Sequence, residues 1–190
     1  MATRHCLLIG INEYPKVDDA TLQGCANDVA LIGSLLIDRF GFREDQCIVL
    51  RNREATRPAI LGAFDEFVER AEPDDVVVCF YAGHGSRIAD PHRPDGFVES
   101  IVPSDSGRGD HPNRDIYDVE IDRWVQRLNP KTRHVTLIFD CCHSGSVTRD
   151  PFGEATREIP ADLRPPERMF DGGIVPEVLR DRGPSPARRG

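Results

Sequence analysis

The chain has 190 residues, 39% of them hydrophobic, and sets 24 Lys and Arg against 32 Asp and Glu for a formal net charge of −8. That length supports one domain with a buried core. The acidic balance argues against a nucleic-acid backbone as main partner, and no apolar run approaches the ~20 residues of a membrane-spanning helix.

Met1-Ala2-Thr3-Arg4 leads straight into a strand pattern without a secretory signal. The expected location is therefore cytoplasmic, with reduced thiols. Residues 5–11 read as a buried strand. Asn27 to Phe40 carries Val29, Ile32, Leu35, Leu36 and Phe40 at helical spacing, and Gly41 is the stop signal. Cys47 to Leu50 is a short strand. Thr56 can cap a second helix, with Pro58 tolerated in its first turn. The apolar face of that helix is Ile60, Leu61, Phe64, Phe67 and Val68, and Pro73-Asp74-Asp75 ends it. Val76 to Phe80 is the next strand. Residues 87–97 read as loop, Phe97 to Val102 as a short strand, and Arg108 to Arg114 as a polar loop. Ile116 to Leu128 is helical through Ile121, Trp124, Val125 and Leu128. Val135 to Phe139 is the last strand. Cys6, Cys47 and Cys79 lie in strand-like stretches and read as plain core residues.

Strands alternating with helices predict an α/β fold whose mostly parallel sheet is covered on both faces. From Pro151 the composition changes, with seven of the fifteen prolines in 151–190. The expected organisation is a domain over 1–150 and a Pro/Arg-rich linker or partner-ordered tail over 151–190.

Two motifs follow directly on strand-like runs. Tyr81-Ala82-Gly83-His84-Gly85-Ser86 follows Val76 to Phe80, and Asp140-Cys141-Cys142-His143-Ser144-Gly145-Ser146 follows Val135 to Phe139. In an open parallel sheet, functional groups gather beyond the carboxyl ends of the strands. Two such strands side by side would bring the His84 imidazole to the Cys142 thiol, the pairing a cysteine nucleophile needs. The plainer alternative for Cys142 is a core thiol at a strand end. Glycines on both sides of His84 let the backbone turn and are expected to leave its ring exposed. Gly85 and Cys142 can supply backbone N–H groups to an oxyanion. The sequence marks no third residue that would orient His84.

These residues also carry a resemblance. Leu7-Leu8-Ile9-Gly10-Ile11-Asn12-Glu13-Tyr14, Leu22-Gln23-Gly24-Cys25-Ala26-Asn27-Asp28-Val29, the His84 motif and the Cys142 motif run in the order found in caspase-type peptidases. Within that group the chain is most similar to metacaspases and their bacterial relatives. His84 precedes Cys142 at close to the caspase spacing of about 50 residues. The resemblance implies a three-layer αβα sandwich, the caspase-hemoglobinase fold. It covers residues 4 to 148 and so only the large-subunit half. Candidates for the two small-subunit strands are absent, because Gly173-Ile174-Val175 is too short.

The resemblance selects Cys142 over Cys141 as nucleophile, since the family places it directly before His-Ser-Gly. His84 is then general base and later general acid. Asp28 and Asp140 match acidic positions that line the pocket for the residue before the scissile bond, and two carboxylates there favour a guanidinium. The plainer alternative for Asp28 is an acid favoured by a helix N-terminus. Cys25 either shapes the pocket wall or packs in the core. The implied activity is a cysteine endopeptidase cleaving after Arg or Lys, with protein substrates, a possible small-subunit or regulatory chain as partner, and neither nucleic acid nor membrane. Arg157, Arg164, Arg168, Arg180 and Arg182 are candidate processing sites.

Many metacaspases bind calcium through an acidic cluster. Several matching positions fall near Val98, Val119 and Arg149, and a hard cation wants six to eight oxygen ligands. No calcium requirement and no other cofactor is therefore expected, although Asp95, Glu99, Asp105, Asp118 and Glu120 lie nearby. Contiguous Cys141-Cys142-His143 makes a poor zinc site. A catalytically silent caspase-like scaffold is the second reading, and the intact His84 and Cys142 weigh against it. A nucleotide-binding domain is disfavoured because Gly83-His84-Gly85 lacks the spacing of a phosphate loop.

Overall fold

The computed structural model describes residues 2–90, 93–141 and 157–180. Four parallel strands form the central sheet: β1 (Arg4–Gly10), β2 (Cys47–Arg51), β3 (Val76–Ala82) and β7 (His134–Asp140), in the order β2-β1-β3-β7. Every residue of β1 after Arg4 is buried, the pattern of a strand covered on both faces. Helices α1 (Cys25–Phe40) and α2 (Arg57–Arg70) provide the cover. Leu8 and Gly10 face α1. A Cβ on Gly10 would come within 2.6 Å of the Cys25 carbonyl oxygen, so only glycine lets the helix start this close. His5, which alternation places on the other face, lies against Phe67 of α2 with ring centroids 6.0 Å apart. Helix α3 (Asp118–Leu128) packs on α2, where Phe64 and Trp124 stack at 4.6 Å.

Local signals explain the helix ends. Thr56 Oγ1 accepts from the Ala59 N–H at 3.4 Å at the start of α2. Gly41 closes α1 in the left-handed conformation that favours glycine. Helix α1 begins at Cys25, earlier than its apolar spacing indicates.

Three strands form a second, antiparallel sheet: β4 (Gly85–Ala89), β5 (Phe97–Ile101) and β6 (Ile116–Tyr117), in the order β4-β5-β6. This corrects two expectations. Residues 87–89 belong to a strand rather than to a loop, and Ile116–Tyr117 is a strand rather than the first turn of a helix. Strand β4 offers only Ile88 as a large apolar residue, so it lacks an alternating signal and is defined by its partner through Ser86↔Ser100 and Ile88↔Val98.

A further correction concerns the cysteines. Cys6 and Cys47 are joined in a disulfide rather than standing as separate core thiols. Parallel pairing of β1 and β2 puts the two residues opposite each other, with Cα atoms 4.6 Å apart.

The stretch 157–180, expected as a linker or a partner-ordered tail, packs on the chain itself. Glu158 and Asp162 form parallel bridges to Gly85 and Ile88 of β4. Short helices α4 (Pro166–Met169) and α5 (Glu177–Arg180) follow. Met169 and Phe170 bury themselves with Ile88, Val98 and Tyr117 in a second apolar cluster. On the other flank, among the described residues, β7 ends the central sheet, and its Ile138 and Phe139 are 42% and 37% exposed.

Candidate active site

The two motif strands are neighbours. Ala82 of β3 pairs with Asp140 of β7, and the Gly83 N–H donates to the Asp140 carbonyl at 3.4 Å. His84 and Cys141 therefore leave the sheet at the same rim. Cys142 and His143 lie outside the described residues.

His84 is only 3% exposed, not the exposed ring the flanking glycines predict. Its ring packs on Tyr14 with centroids 4.7 Å apart, and its backbone N–H donates to Tyr14 Oη at 2.8 Å. Tyr81 Oη donates to the His84 carbonyl at 2.7 Å. Neither Gly83 nor Gly85 has a positive φ. What Gly83 supplies is space, because a Cβ there would stand 2.6 Å from both tyrosine hydroxyls.

The third group at the imidazole is a backbone atom. His84 Nε2 lies 2.8 Å from the Ala20 carbonyl oxygen. A carbonyl only accepts, so Nε2 carries the proton, and in the neutral ring the lone pair sits on Nδ1. Among the described residues Nδ1 is buried without a hydrogen-bond partner. Burial lowers the His84 pKa, against the Ala20 and Arg157 carbonyls and with the charges of Arg108 and Arg157. A neutral imidazole with an open Nδ1 is chemically a base. Sequence reasoning missed Ala20 because any residue type presents a carbonyl.

The remaining candidates meet around one guanidinium. Arg157 Nη2 donates to Asp28 Oδ2 at 2.9 Å, and Nη1 is paired with Asp140 Oδ2. Asp28 is in the first turn of α1, and Asp140 is the last residue of β7. Cys25, the first residue of α1, is fully buried beside them. Burial pushes its thiol pKa up, Arg157 opposes this and the two carboxylates add to it, so it stays a neutral thiol within the main apolar core. The Arg157 carbonyl accepts the Gly85 N–H at 3.0 Å. One residue of the chain thus presents its side chain to Asp28 and Asp140 and its carbonyl to Gly85. The sequence marks Arg157 only as one of five processing candidates. The contact that distinguishes it spans 129 residues.

Comparison with known proteins places the chain in a family. The family model described as metacaspase, peptidase C14 domain, matches residues 4–151. Metacaspase-1A of Neurospora crassa is 36% identical over 166 residues, 82% of this chain and 35% of its own length. Metacaspase III c of Phaeodactylum tricornutum is 34% identical, over 79% of this chain and 45% of its own. Metacaspase-4 of Arabidopsis thaliana is 36% identical, over 84% and 38%. The chain thus spans less than half the length of these curated relatives. In fold, it is similar to the crystal structure of protein GSU0716 from Geobacter sulfurreducens, with a TM-score of 0.63 at 21% identity, covering 83% of this chain and 58% of that one.

Proposed function

Because the chain belongs to the metacaspase family of C14 peptidases, we propose that it is the His/Cys half of a cysteine endopeptidase that cleaves after Arg, with Lys the weaker alternative. The observation that carries this reading is the pose of Arg157. Its guanidinium lies between Asp28 and Asp140 while its carbonyl accepts the Gly85 N–H. This is how a residue before a scissile bond would sit, with the pocket reading the side chain and a backbone donor polarising the carbonyl.

The chemistry follows from that placement. His84 Nδ1 takes the Cys142 thiol proton while Nε2–H stays on Ala20. The thiolate adds to the Arg carbonyl carbon, and the oxyanion is held by the N–H groups of Gly85 and Cys142. Collapse forms a thioester, and the leaving amine takes the proton from His84. Water then hydrolyses the thioester, freeing the new carboxylate and the thiol. The same steps on the Arg157–Glu158 bond would cut the chain itself and empty the pocket, a processing event that would precede cleavage of other proteins. The exposed Ile138 and Phe139 on β7 fit a strand added by the small-subunit half or a partner chain.

The test uses the full protein that carries this chain and fluorogenic peptides ending in Arg, Lys or Asp. The Arg peptide should be hydrolysed fastest, and Cys142→Ala should abolish hydrolysis along with any cut after Arg157. Retained hydrolysis in Cys142→Ala, or a preference for Asp, refutes the reading.

Three of the acidic residues near the second sheet already have cationic partners, which weighs against a calcium site. Asp118 is paired with Arg93, Glu120 with Arg57 and Asp105 with Arg114. A cation there would compete with arginines whose charge already balances the carboxylates. We therefore expect excess EDTA to leave hydrolysis of the Arg peptide within about twofold of the untreated rate. A large loss restored by added calcium would contradict this.

A further inference from the structure

Arg157 reaches its pose at the head of a short strap, Arg157 to Arg164, laid parallel along β4. Only a few backbone bonds define that pairing. Gly85 donates to Arg157 and accepts from Ile159 at 2.9 Å, and the Asp162 N–H donates to the Arg87 carbonyl at 2.9 Å. Pro160 has no N–H to add. So sparse a ladder specifies register weakly, and a one-residue slip turns every side chain to the other face. A two-residue slip would keep the faces but carry the Arg157 guanidinium away from Asp28 and Asp140. Something beyond the backbone must fix the register.

Asp162 does so. Five residues beyond Arg157, its carboxylate is 4% exposed and accepts Asn113 Nδ2 at 3.0 Å, with Arg108 Nε at 3.9 Å. Within the strap, Arg164 donates to the same carboxylate from Nη2 at 2.7 Å and from Nε at 2.9 Å. Arg164 then spans to the carbonyls of Gly109 at 2.6 Å and His111 at 2.9 Å. A carboxylate is costly to bury unless it is paired and hydrogen-bonded. In any other register Asp162 would leave Asn113 and Arg108 behind. The anchor thus has one low-energy position, while the backbone ladder alone has several.

We propose that Asp162 is a positioning residue for self-cleavage, whose seat on Asn113 and Arg108 sets the strand register that holds the Arg157–Glu158 bond at Gly85. The inference rests on the reading of the chain as an Arg-directed peptidase. It adds that the cut is chosen by a carboxylate five residues downstream, and not by the Arg pocket alone.

The experiment follows two rates in the full protein: the cut after Arg157, by intact mass against time, and hydrolysis of a fluorogenic Arg peptide, which has no downstream residues. Asp162→Asn should slow the cut after Arg157 by about tenfold or more, the loss that follows from unseating a buried charged partner. The small peptide should be slowed far less than the cut, because a strap out of register also takes Arg157 off Asp28 and Asp140. Arg164→Ala, which removes the outer half of the anchor and leaves Asn113 and Arg108 in place, should slow the cut in the same selective way but less. A folded Asp162→Asn variant that cuts after Arg157 as fast as wild type overturns the proposal. If Asp162→Asn does not fold, an unchanged cut in Arg164→Ala overturns it. Wild-type protein that hydrolyses the small peptide but never cuts after Arg157 overturns it too. Wild-type protein with neither activity refutes instead the peptidase reading on which it rests.

Discussion

Replacing His84 by Ala is expected to lower kcat for an Arg-ended peptide by about a thousandfold, within the range a positioned general base contributes, while KM changes little. The separation is expected because the imidazole and the specificity carboxylates belong to different parts of the site. Nε2 is held by Ala20 and Nδ1 is buried without a partner among the described residues, whereas Asp28 and Asp140 hold the Arg157 guanidinium. The pH profile is a second check. Burial depresses the His84 pKa, so the neutral, basic ring should persist below the free value of about 6.5. The acid limb of kcat/KM should accordingly lie below that value. Stability has a matching sign. Below about pH 6.5 the unfolded chain takes up a proton that folded His84 resists, so the contribution of His84 is present above that pH and is lost as pH falls toward the depressed value. His84→Ala should flatten that dependence. A variant that keeps near-wild-type kcat, or an acid limb above the free value, removes His84 from the role of base.

The second large effect is expected at the carboxylates. A hydrogen bond to a charged group contributes about 1.5–3 kcal/mol, and each factor of ten in affinity corresponds to about 1.4 kcal/mol. Losing both carboxylates should therefore lower kcat/KM for Arg peptides by roughly 10²- to 10⁴-fold. The lower end is favoured because solvent screens both groups. Asp140, with a side chain 51% exposed, should matter less than Asp28 at 36%. In Asp28→Asn the neutral amide keeps an acceptor for the guanidinium but loses the charge, so preference for Arg over Gln should shrink most there. Rates for Arg-, Lys- and Gln-ended peptides in Asp28→Asn, Asp140→Asn and the double variant check this. An unchanged Arg preference in the double variant would place the specificity pocket elsewhere.

Much of the fold was legible because its signals are local. The β1 and β3 runs are apolar without a break, as strands covered on both faces require. Thr56 with Pro58, and Gly41, punctuate the helices through their own backbone chemistry. Strand β4 was not legible, since Ser86-Arg87-Ile88-Ala89 carries almost no alternation and becomes a strand only because β5 pairs with it. The disulfide between Cys6 and Cys47 likewise depends on which strands adjoin and in what register. The burial of His84 reversed an expectation for a related reason. Gly83 reads as a source of backbone freedom, but its use is the room it leaves for the hydroxyls of Tyr14 and Tyr81.

By itself the sequence determined the family. The four motifs, in their order, mark the chain as a metacaspase relative, and that resemblance names His84, Cys142, Asp28 and Asp140 as the residues to test. Tertiary structure decided how those groups are held and what holds them. The Ala20 carbonyl on His84, Arg157 between the two carboxylates and Asp162 on Asn113 are all contacts between residues far apart in the chain. Two of them depend on a backbone carbonyl or on one arginine among many, which no residue type or spacing can mark in advance.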